Sequence, residues 1–155
     1  MTLIKETLNE ISNNFIRLSD KSAGEIELAS NLIIKSLENG GKIMFCGNGG
    51  SAADSQHLSA ELVGRYMKNR KPLASVALTT DTSVITAISN DFTFDDIFSR
   101  QIEAIGNEGD ILYATSTSGK SKNIISALKT ARSLKIKTIG IIGNDDNGLN
   151  DLCNI

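Results

Sequence analysis

The sequence predicts an α/β fold with three layers, in which helices cover both faces of a parallel sheet and two N-terminal helices precede the sheet. Short apolar runs alternate with stretches of helical periodicity from residue 42 onward, which is typical of a covered parallel sheet. Turns rich in glycine or hydroxyl residues follow three of these runs. With 155 residues, of which 40% are apolar, the chain is long enough for one domain over 1–155.

The predicted N-terminal helices cover about 3–18 and 22–39, ahead of a sheet core over about 42–155. Apolar side chains in the first helix alternate at spacings of four and three, at Ile4, Leu8, Ile11, Phe15 and Leu18. The second helix repeats the pattern and ends before Gly40, a common C-terminal signal. Either both helices cover their own core, or their seam packs against a second subunit.

The remaining elements follow in alternation. Strands are predicted over 42–46, 73–78, 110–115 and 136–143, and helices begin at Ser51 and Thr82, cover about 95–105, run from about 121 to 134, and lie near 147–152. The dipeptide Asn90-Asp91 is expected to break the helix that begins at Thr82. In such a sheet, ligands gather at the carboxyl ends of the strands, so the turns 47–51, 79–82 and 116–121 are expected at one edge.

The first of these turns suits a phosphate. Gly47, Gly49 and Gly50 allow a tight bend and a close approach of backbone to ligand. Ser51 is predicted to be the N-cap of the next helix, with Asp54 completing a capping box. Free amides and the positive end of a helix dipole then meet at one point.

The helix after this turn has a polar face formed by Asp54, His57, Glu61 and Arg65. These residues fall within roughly 80° of arc at 100° per residue. His57 and Glu61 are four residues apart and can share a proton, a substrate atom or a metal. The alternative is an ordinary solvated face, and a lone histidine is usually structural. Glu61 is the best candidate for acid–base chemistry because it lies beyond the phosphate turn.

The third turn offers the hydroxyls of Ser116, Thr117, Ser118 and Ser121 near a helix N-terminus, which suits a phosphate head group. Such a turn can also be a simple capping turn. A nucleotide-binding P-loop, with Lys120 on phosphates and Ser121 on magnesium, is disfavoured because alanine replaces the first glycine and no neighbouring strand ends in an acidic residue.

Composition excludes several classes of function. The net charge is −2 and no basic run occurs, so nucleic acid and anionic membranes are poor candidates as partners. Cys46 and Cys153 are too far apart to indicate a disulfide framework and fit a reducing compartment. The N-terminal residues lack a signal-peptide core and no stretch reaches membrane-spanning length. We therefore expect a cytoplasmic protein.

The stretch Cys46–Tyr66, C-G-N-G-G-S-A-A-D-S-Q-H-L-S-A-E-L-V-G-R-Y, closely resembles the glycine-rich loop and helix of bacterial phosphoheptose isomerases, members of the sugar-isomerase (SIS) family with a flavodoxin-like sheet. The resemblance implies conversion of sedoheptulose 7-phosphate to D-glycero-D-manno-heptose 7-phosphate through an enediol, for the heptose of lipopolysaccharide. It also implies a homotetramer.

The same resemblance implies roles for particular residues. Ser116–Ser121 matches the family's S-T-S-G-x-S phosphate loop at every fixed position. Glu61 corresponds to the catalytic residue, and with His57 it corresponds to a ligand of one zinc ion per subunit. The substrate-binding positions implied are Asn48, Gly49, Gly50, Ser51, Glu61, Arg65, Asn90, Asp91, Ser116, Thr117, Ser118 and Ser121. Ser89 departs from the glycine that many relatives have before Asn-Asp.

Relatives of this type continue beyond the position of Ile155 with a further strand and a helix. The resemblance implies that a glutamine and a histidine of this helix complete the metal site, and that this histidine is the partner base. We therefore expect a chain that lacks these elements, either as a fragment or as a shortened member. The alternative function is a non-catalytic module that binds phosphosugars or a replication initiator. Retention of both His57 and Glu61 favours the enzyme.

Overall fold

The computed structural model of the chain describes residues 2–143 and 149–155. Its helices are α1 (Thr2–Glu38), α2 (Gly50–Val63), α3 (Thr82–Asp91), α4 (Ser99–Ile105) and α5 (Lys122–Ser133), with single 3-10 turns at Phe94–Asp96 and Asn150–Leu152. The strands are β1 (Ile43–Gly47), β2 (Ser75–Ala77), β3 (Ile111–Ser116) and β4 (Lys137–Ile142). Two compact units result, one ending at Leu32 and one beginning at Ile33.

All four strands run parallel, in the order β2-β1-β3-β4. The central strands β1 and β3 pair from Ile43 and Ile111 to Gly47 and Thr115. The chain reverses its direction of travel across the sheet after β2, and β1 and β3 flank this switch point. The predicted fold class is confirmed, and the switch point lies where open parallel sheets bind ligands.

One face of the sheet carries the main core. Met44 and Cys46 of β1, together with Leu112 and Ala114 of β3, are completely buried against helices α4 and α5. The amphipathic helix α5 contributes the buried side chains of Ile124, Ala127, Leu128 and Ala131, and the α4 region contributes Phe98 and Ile102. The buried side chains of α5 thus form an apolar face toward the sheet, and this face fixes the helix start next to the end of β3.

The opposite face is covered by α2 over β1 and β2. A Cβ atom at Gly47 would lie 2.6 Å from the carbonyl oxygen of Ser51, so only glycine permits this approach of strand to helix. Near the other end of α2, the Ser59 hydroxyl lies 3.1 Å from that of Ser75, the first residue of β2. Helix α2 therefore runs from the carboxyl edge of the sheet back to its amino edge.

The N-terminal region corrects one prediction, because a single helix, α1, replaces the two predicted at about 3–18 and 22–39. Residues 19–21, Ser-Asp-Lys, contain neither proline nor glycine, and one glycine at position 24 costs a helix only about 1 kcal/mol. Continuing the backbone hydrogen bonds is then more favourable than starting a second helix. The predicted end before Gly40 is confirmed, and Gly40 has φ +82°.

One smaller correction concerns the start of a helix. Helix α2 begins at Gly50 with Gly49 as its N-cap, rather than at Ser51 with an Asp54 capping box. The φ of +58° at Gly49 sets the chain reversal one residue earlier than predicted. The predicted break at Asn90-Asp91 is confirmed, since these are the last two residues of α3. The helix predicted near 147–152 falls partly on residues 144–148, outside the described residues.

The amino edge of the sheet is closed by a buried carboxylate. Asp110, only 3% exposed, accepts hydrogen bonds from the backbone amides of Lys42 and Asn107 at 2.9 and 2.8 Å, and pairs with the Lys42 ammonium. A cavity of about 420 Å³ opens beside it and is lined by Gly40, Lys42, Glu108 and their neighbours. Both carboxylate oxygens of Asp110 are hydrogen-bonded to protein groups. This edge of the sheet is therefore a structural feature.

Backbone hydrogen bonds join the last residues to β4. Thr138 accepts from the amide of Asn154 at 2.9 Å, and the amide of Gly140 donates to the carbonyl of Ile155 at 2.9 Å. Cys153 packs so close to Gly140 that a Cβ at Gly140 would lie 2.5 Å from the Cys153 sulfur.

The other cysteine, Cys46, lies in the core. Burial raises the pKa of the Cys46 thiol to about 12, so Cys46 is an inert core residue at neutral pH.

Candidate active site

The turn after β1 exposes a short run of backbone at the start of α2. Gly49 takes a left-handed conformation with φ +58°, which L side chains rarely adopt. The amide of Ser51 donates to the carbonyl of Asn48 at 3.1 Å, and that of Ala52 donates to Gly49 at 3.1 Å. The predicted conformation of this turn, a tight glycine bend leading directly into a helix, is what the structure contains.

The turn after β3 is organised around the buried hydroxyl of Ser116. Its oxygen accepts a hydrogen bond from the amide of Gly119 at 3.1 Å and lies 3.4 Å from the Ser121 hydroxyl. Gly119 has φ +63°. Thr117 and Ser118 are exposed, and the Ser118 hydroxyl accepts from the amide of Lys120 at 3.2 Å. The four predicted hydroxyl residues therefore form one compact turn immediately before α5.

Side-chain contacts hold these two turns together. Asn48, in the first turn, and Asn123, in the first turn of α5, exchange two hydrogen bonds of 2.9 Å between their side-chain amides. The end of β4 joins the same group, since the amide of Gly143 donates to the carbonyl of Ser116 at 3.1 Å. The carboxyl ends of β1, β3 and β4 thus form a continuous polar surface.

The turn after β2 attaches to the other side of α2. The Thr79 hydroxyl donates to the carbonyl of Ala52 at 3.3 Å, and the Gln56 side chain donates to the Thr79 carbonyl at 3.3 Å. Asp81 caps α3 by accepting from the amide of Val84 at 2.9 Å. The three turns predicted to share one edge do so, and this turn supports α2.

His57 and Glu61 lie together farther along α2. The His57 Nε2 and Glu61 Oε1 atoms are 3.7 Å apart, and the side chains are 74% and 32% exposed. At 1.5 Å per residue, His57 lies about 10 Å along the helix from Gly50. The pair therefore sits beside the sheet, at some distance from the carboxyl-edge turns, and both side chains are open to a ligand.

This flank of α2 faces the part of the sheet that α2 leaves uncovered. Asp54 shares the flank with Glu61, and its negative charge acts on Tyr113 of β3. Burial, and secondarily the charge of Asp54, raise the pKa of the Tyr113 hydroxyl. Tyr113 packs against Phe45 with ring centroids 5.3 Å apart. On β4, Ile141 is 49% exposed. A shelf, formed by Tyr113, Ile141 and the α2 flank, thus lies below the polar turns.

Three further predicted residues are exposed at or just beyond the ends of α2 and α3. Arg65 is exposed beyond the end of α2, and Asn90 donates to the carboxylate of its neighbour Asp91 at 2.8 Å at the end of α3. Arg70, which was not among the predicted site residues, binds the end of α2. Its guanidinium donates to the carbonyls of Glu61 and Leu62 at 2.7 and 2.8 Å.

The donor chemistry of the pair suits zinc, but the number of donors is small. An imidazole nitrogen and a carboxylate oxygen at i and i+4 are ordinary zinc ligands. Within residues 2–143 and 149–155, no group of three or more His, Cys, Asp or Glu side chains is arranged to hold a metal. His57 and Glu61 could therefore supply two of the three or four protein ligands that zinc usually takes.

Asn123 and Tyr113 are the two site residues that sequence reasoning missed. Asn123 is the second residue of α5, where an apolar residue would be equally ordinary, and Tyr113 resembles any other strand residue. A polar residue two places beyond the hydroxyl-rich turn was the available signal for Asn123. Only the pairing of β1 with β3 shows that these residues meet the first turn and α2.

Comparison with known proteins agrees with this architecture. Residues 8–143 match the SIS domain family. The phosphoheptose isomerase of Aliarcobacter butzleri is 55% identical over 130 residues, which cover 84% of this chain and 69% of that protein. Among solved structures, a phosphoheptose isomerase from Francisella tularensis superposes with TM-score 0.90 at 36% identity, covering 99% of this chain and 82% of the other.

Phosphoheptose isomerase GmhA from Neisseria gonorrhoeae gives TM-score 0.87 at 41% identity, covering 95% of this chain and 76% of that one. No helix within the described ranges is long and apolar enough to cross a membrane. Taken with the parallel sheet and the polar turns at its carboxyl edge, these matches show that the chain belongs to the SIS domain family and groups within it with the phosphoheptose isomerases.

Proposed function

We propose that the protein is an aldose–ketose isomerase that converts sedoheptulose 7-phosphate to D-glycero-D-manno-heptose 7-phosphate in the cytoplasm, for surface-polysaccharide synthesis. The names of relatives about half identical in sequence support a phosphosugar isomerase. The observation that carries the proposal is the arrangement of two linked polar turns above a shelf that is bordered by a histidine–carboxylate pair.

The dimensions of the site match a seven-carbon sugar phosphate. Eight bonds separate phosphorus from C1 of the open-chain sugar, which spans about 10 Å when extended. His57 lies about 10 Å along α2 from Gly50. Side chains on a helix lean toward its N-terminus, and the Glu61 carboxylate reaches to 3.7 Å from the His57 nitrogen. A phosphate held at the Gly49–Gly50 end of α2, where the turn after β1 approaches the turn after β3, would therefore leave C1 and C2 near this pair.

The chemistry assigned to the chain is a proton transfer between adjacent carbons. Glu61 takes a proton from C1 while O2 of the ketose gains a proton from water, which gives the enediol. Glu61 then returns a proton to C2 while the C1 hydroxyl gives up its proton to water, which gives the aldose. Backbone amides of Gly49 and Gly50, with the hydroxyls of Ser116, Thr117, Ser118 and Ser121, hold the phosphate end. A zinc ion bound with His57 and Glu61 among its ligands would stabilise the developing oxyanion.

Turnover of sedoheptulose 7-phosphate tests this function directly. We would assay the 155-residue chain and a version extended at its C-terminus by the segment of a longer relative, each with and without added zinc. Activity in either chain supports an isomerase, and dependence on zinc supports the metal. No turnover by either chain, with phosphosugar binding retained, would instead identify a binding module.

Removal of the Lys120 side chain is expected to have a smaller effect, on KM alone. The backbone amide of Lys120 donates a hydrogen bond to the Ser118 hydroxyl, and the Lys120 side chain is exposed in the 116–121 turn. Because a partly solvated ion pair contributes about 1 kcal/mol, we expect Lys120→Ala to raise KM about fivefold with kcat unchanged. Lys129→Ala, which removes an equally exposed charge farther along α5, should change neither constant. A change in kcat alone would contradict a purely electrostatic role.

We also propose that α1 mediates assembly into a homotetramer. The helix exposes a run of large apolar side chains, at 45% to 75% of their area, comprising Leu3, Ile4, Leu8, Ile11, Phe15, Ile16 and Leu18. A contiguous apolar surface of this kind on a folded protein usually marks an interface. The spacings of four and three in its seam suit packing against another helix.

Light scattering after gel filtration tests the assembly. We expect the unmodified chain to elute as an oligomer and Phe15→Glu to shift it to smaller species, since a charge in the seam must be desolvated on association. Asn13→Glu adds the same charge about 160° away on the helix and should leave the oligomer intact. A monomeric unmodified chain, or equal shifts by both variants, would contradict the proposal.

A further inference from the structure

The reciprocal amide pair between Asn48 and Asn123 links the turn after β1 directly to the start of α5, just beyond the turn after β3. Both hydrogen bonds are 2.9 Å long, and Asn123 is 2% exposed. Asn48 is only partly buried and reaches the surface of the first turn. One partner is thus held inside the protein, while the other borders the space where a substrate would lie.

The hydrogen-bonding groups of a side-chain amide explain why this pairing fixes the orientation of Asn48. A side-chain amide carries two N–H groups and one oxygen with two lone pairs. The pair uses one N–H and one lone pair on each side, so any rotation of the Asn48 amide breaks both bonds. The remaining N–H and lone pair of Asn48 are left in a defined direction for a ligand.

Asn123, the buried partner of Asn48, is held rigidly by its surroundings. Asn123 lies in the first turn of α5, where its neighbour Ile124 is completely buried in the main core. The amide of Ile124 donates to the carbonyl of Ser121 at 3.1 Å, which ties this helical turn to the end of the hydroxyl-rich loop. A displacement of Asn123 would therefore require movement of α5, the helix that follows the 116–121 turn.

We propose that Asn123 is a positioning residue of the isomerase, acting through Asn48 to set the spacing between the turn after β1 and the turn after β3. It does so without touching the substrate. This inference rests on the proposed function, because it concerns substrate held between these two turns. A link that merely stabilised the fold would change the melting temperature and leave the affinity for substrate unaltered.

A double-mutant cycle separates these roles. Asn123→Ala and Asn48→Ala should each lower kcat/KM for sedoheptulose 7-phosphate by about tenfold or more, since misplacing a substrate by about 1 Å can cost up to a hundredfold. If Asn123 acts only through Asn48, adding Asn123→Ala to Asn48→Ala should change kcat/KM by less than about twofold. Lys129→Ala, also on α5, serves as the control.

Asn123→Asp keeps the volume and the acceptor but not the donor, and provides a second variant should the alanine variant fail to fold. Affinity for the sugar phosphate is measured by calorimetry on the same proteins. Independent effects in the cycle, or unchanged kcat/KM and affinity in folded Asn123 variants, would overturn the positioning role. Absence of turnover in the unmodified protein defeats the proposed reaction, and the cycle is then read from affinity. Absence of binding as well would defeat both.

Discussion

Replacing Glu61 by glutamine is expected to lower the turnover of sedoheptulose 7-phosphate by about 10²- to 10⁴-fold, the usual contribution of a positioned acid or base. Glutamine retains the size of the side chain and its capacity for hydrogen bonding, but it cannot accept a proton. The proposed phosphate contacts lie in the turns after β1 and β3, so affinity for the sugar phosphate should change by no more than about threefold.

Glu108→Gln is a matched control for this experiment. Glu108 lies at the amino edge of the sheet, where its 70% exposed carboxylate is 3.6 Å from the Lys135 ammonium. The same chemical change there should leave kcat and KM unaltered, because exposed ion pairs contribute little. Unchanged turnover in Glu61→Gln would remove Glu61 from its role, and a parallel loss of affinity would indicate a contact with bound substrate.

Periodicity predicts the architecture of this chain well because each strand and helix carries its own local signal. Strand β1 is an uninterrupted apolar run, and α5 places its apolar residues on one face. The error at the N-terminus arose where two seams of similar spacing adjoin across residues 19–21. A helix break requires a residue that opposes helix, and Ser-Asp-Lys does so only weakly.

The candidate site was predictable in its parts more than in its geometry. Gly49 and Gly119 mark backbone positions with positive φ, and their positions next to apolar runs located both turns. The pattern H-x-x-x-E located His57 and Glu61 on one helical face. Nothing local shows that α2 travels back to the amino edge, because that direction depends on contacts such as Ser59 with Ser75.

Contacts between residues that are far apart along the chain explain why Asn123 and Tyr113 were not predicted. Asn48 and Asn123 are 75 residues apart along the chain, and their pairing follows from the parallel register of β1 and β3. Tyr113 lies near Asp54 for the same reason. A register sets such neighbours for a whole strand at once, so one pairing, once known, would have supplied both missing residues.

Gly47→Ala is expected to have the second large effect, although Gly47 carries no side chain. A Cβ there would lie 2.6 Å from the Ser51 carbonyl oxygen and 2.7 Å from the Ser51 Cβ. About 0.8 Å of displacement is needed to reach the 3.4 Å of an ordinary contact. Because the opposing atoms belong to the backbone of α2, the helix must move with His57 and Glu61. We expect turnover to fall by about 10²-fold and the free energy of unfolding by about 1–3 kcal/mol.

Gly24→Ala provides the same chemical change without the collision, since nothing lies within 4 Å of a Cβ at this position in α1. Alanine there should raise the free energy of unfolding by about 0.5–1 kcal/mol through helix propensity, with turnover unchanged. Urea denaturation of both variants measures the stabilities. If Gly47→Ala matched the unmodified protein in stability and turnover, α2 would have room to move without consequence, and the placement of the acid–base pair by this strand-to-helix contact would be wrong.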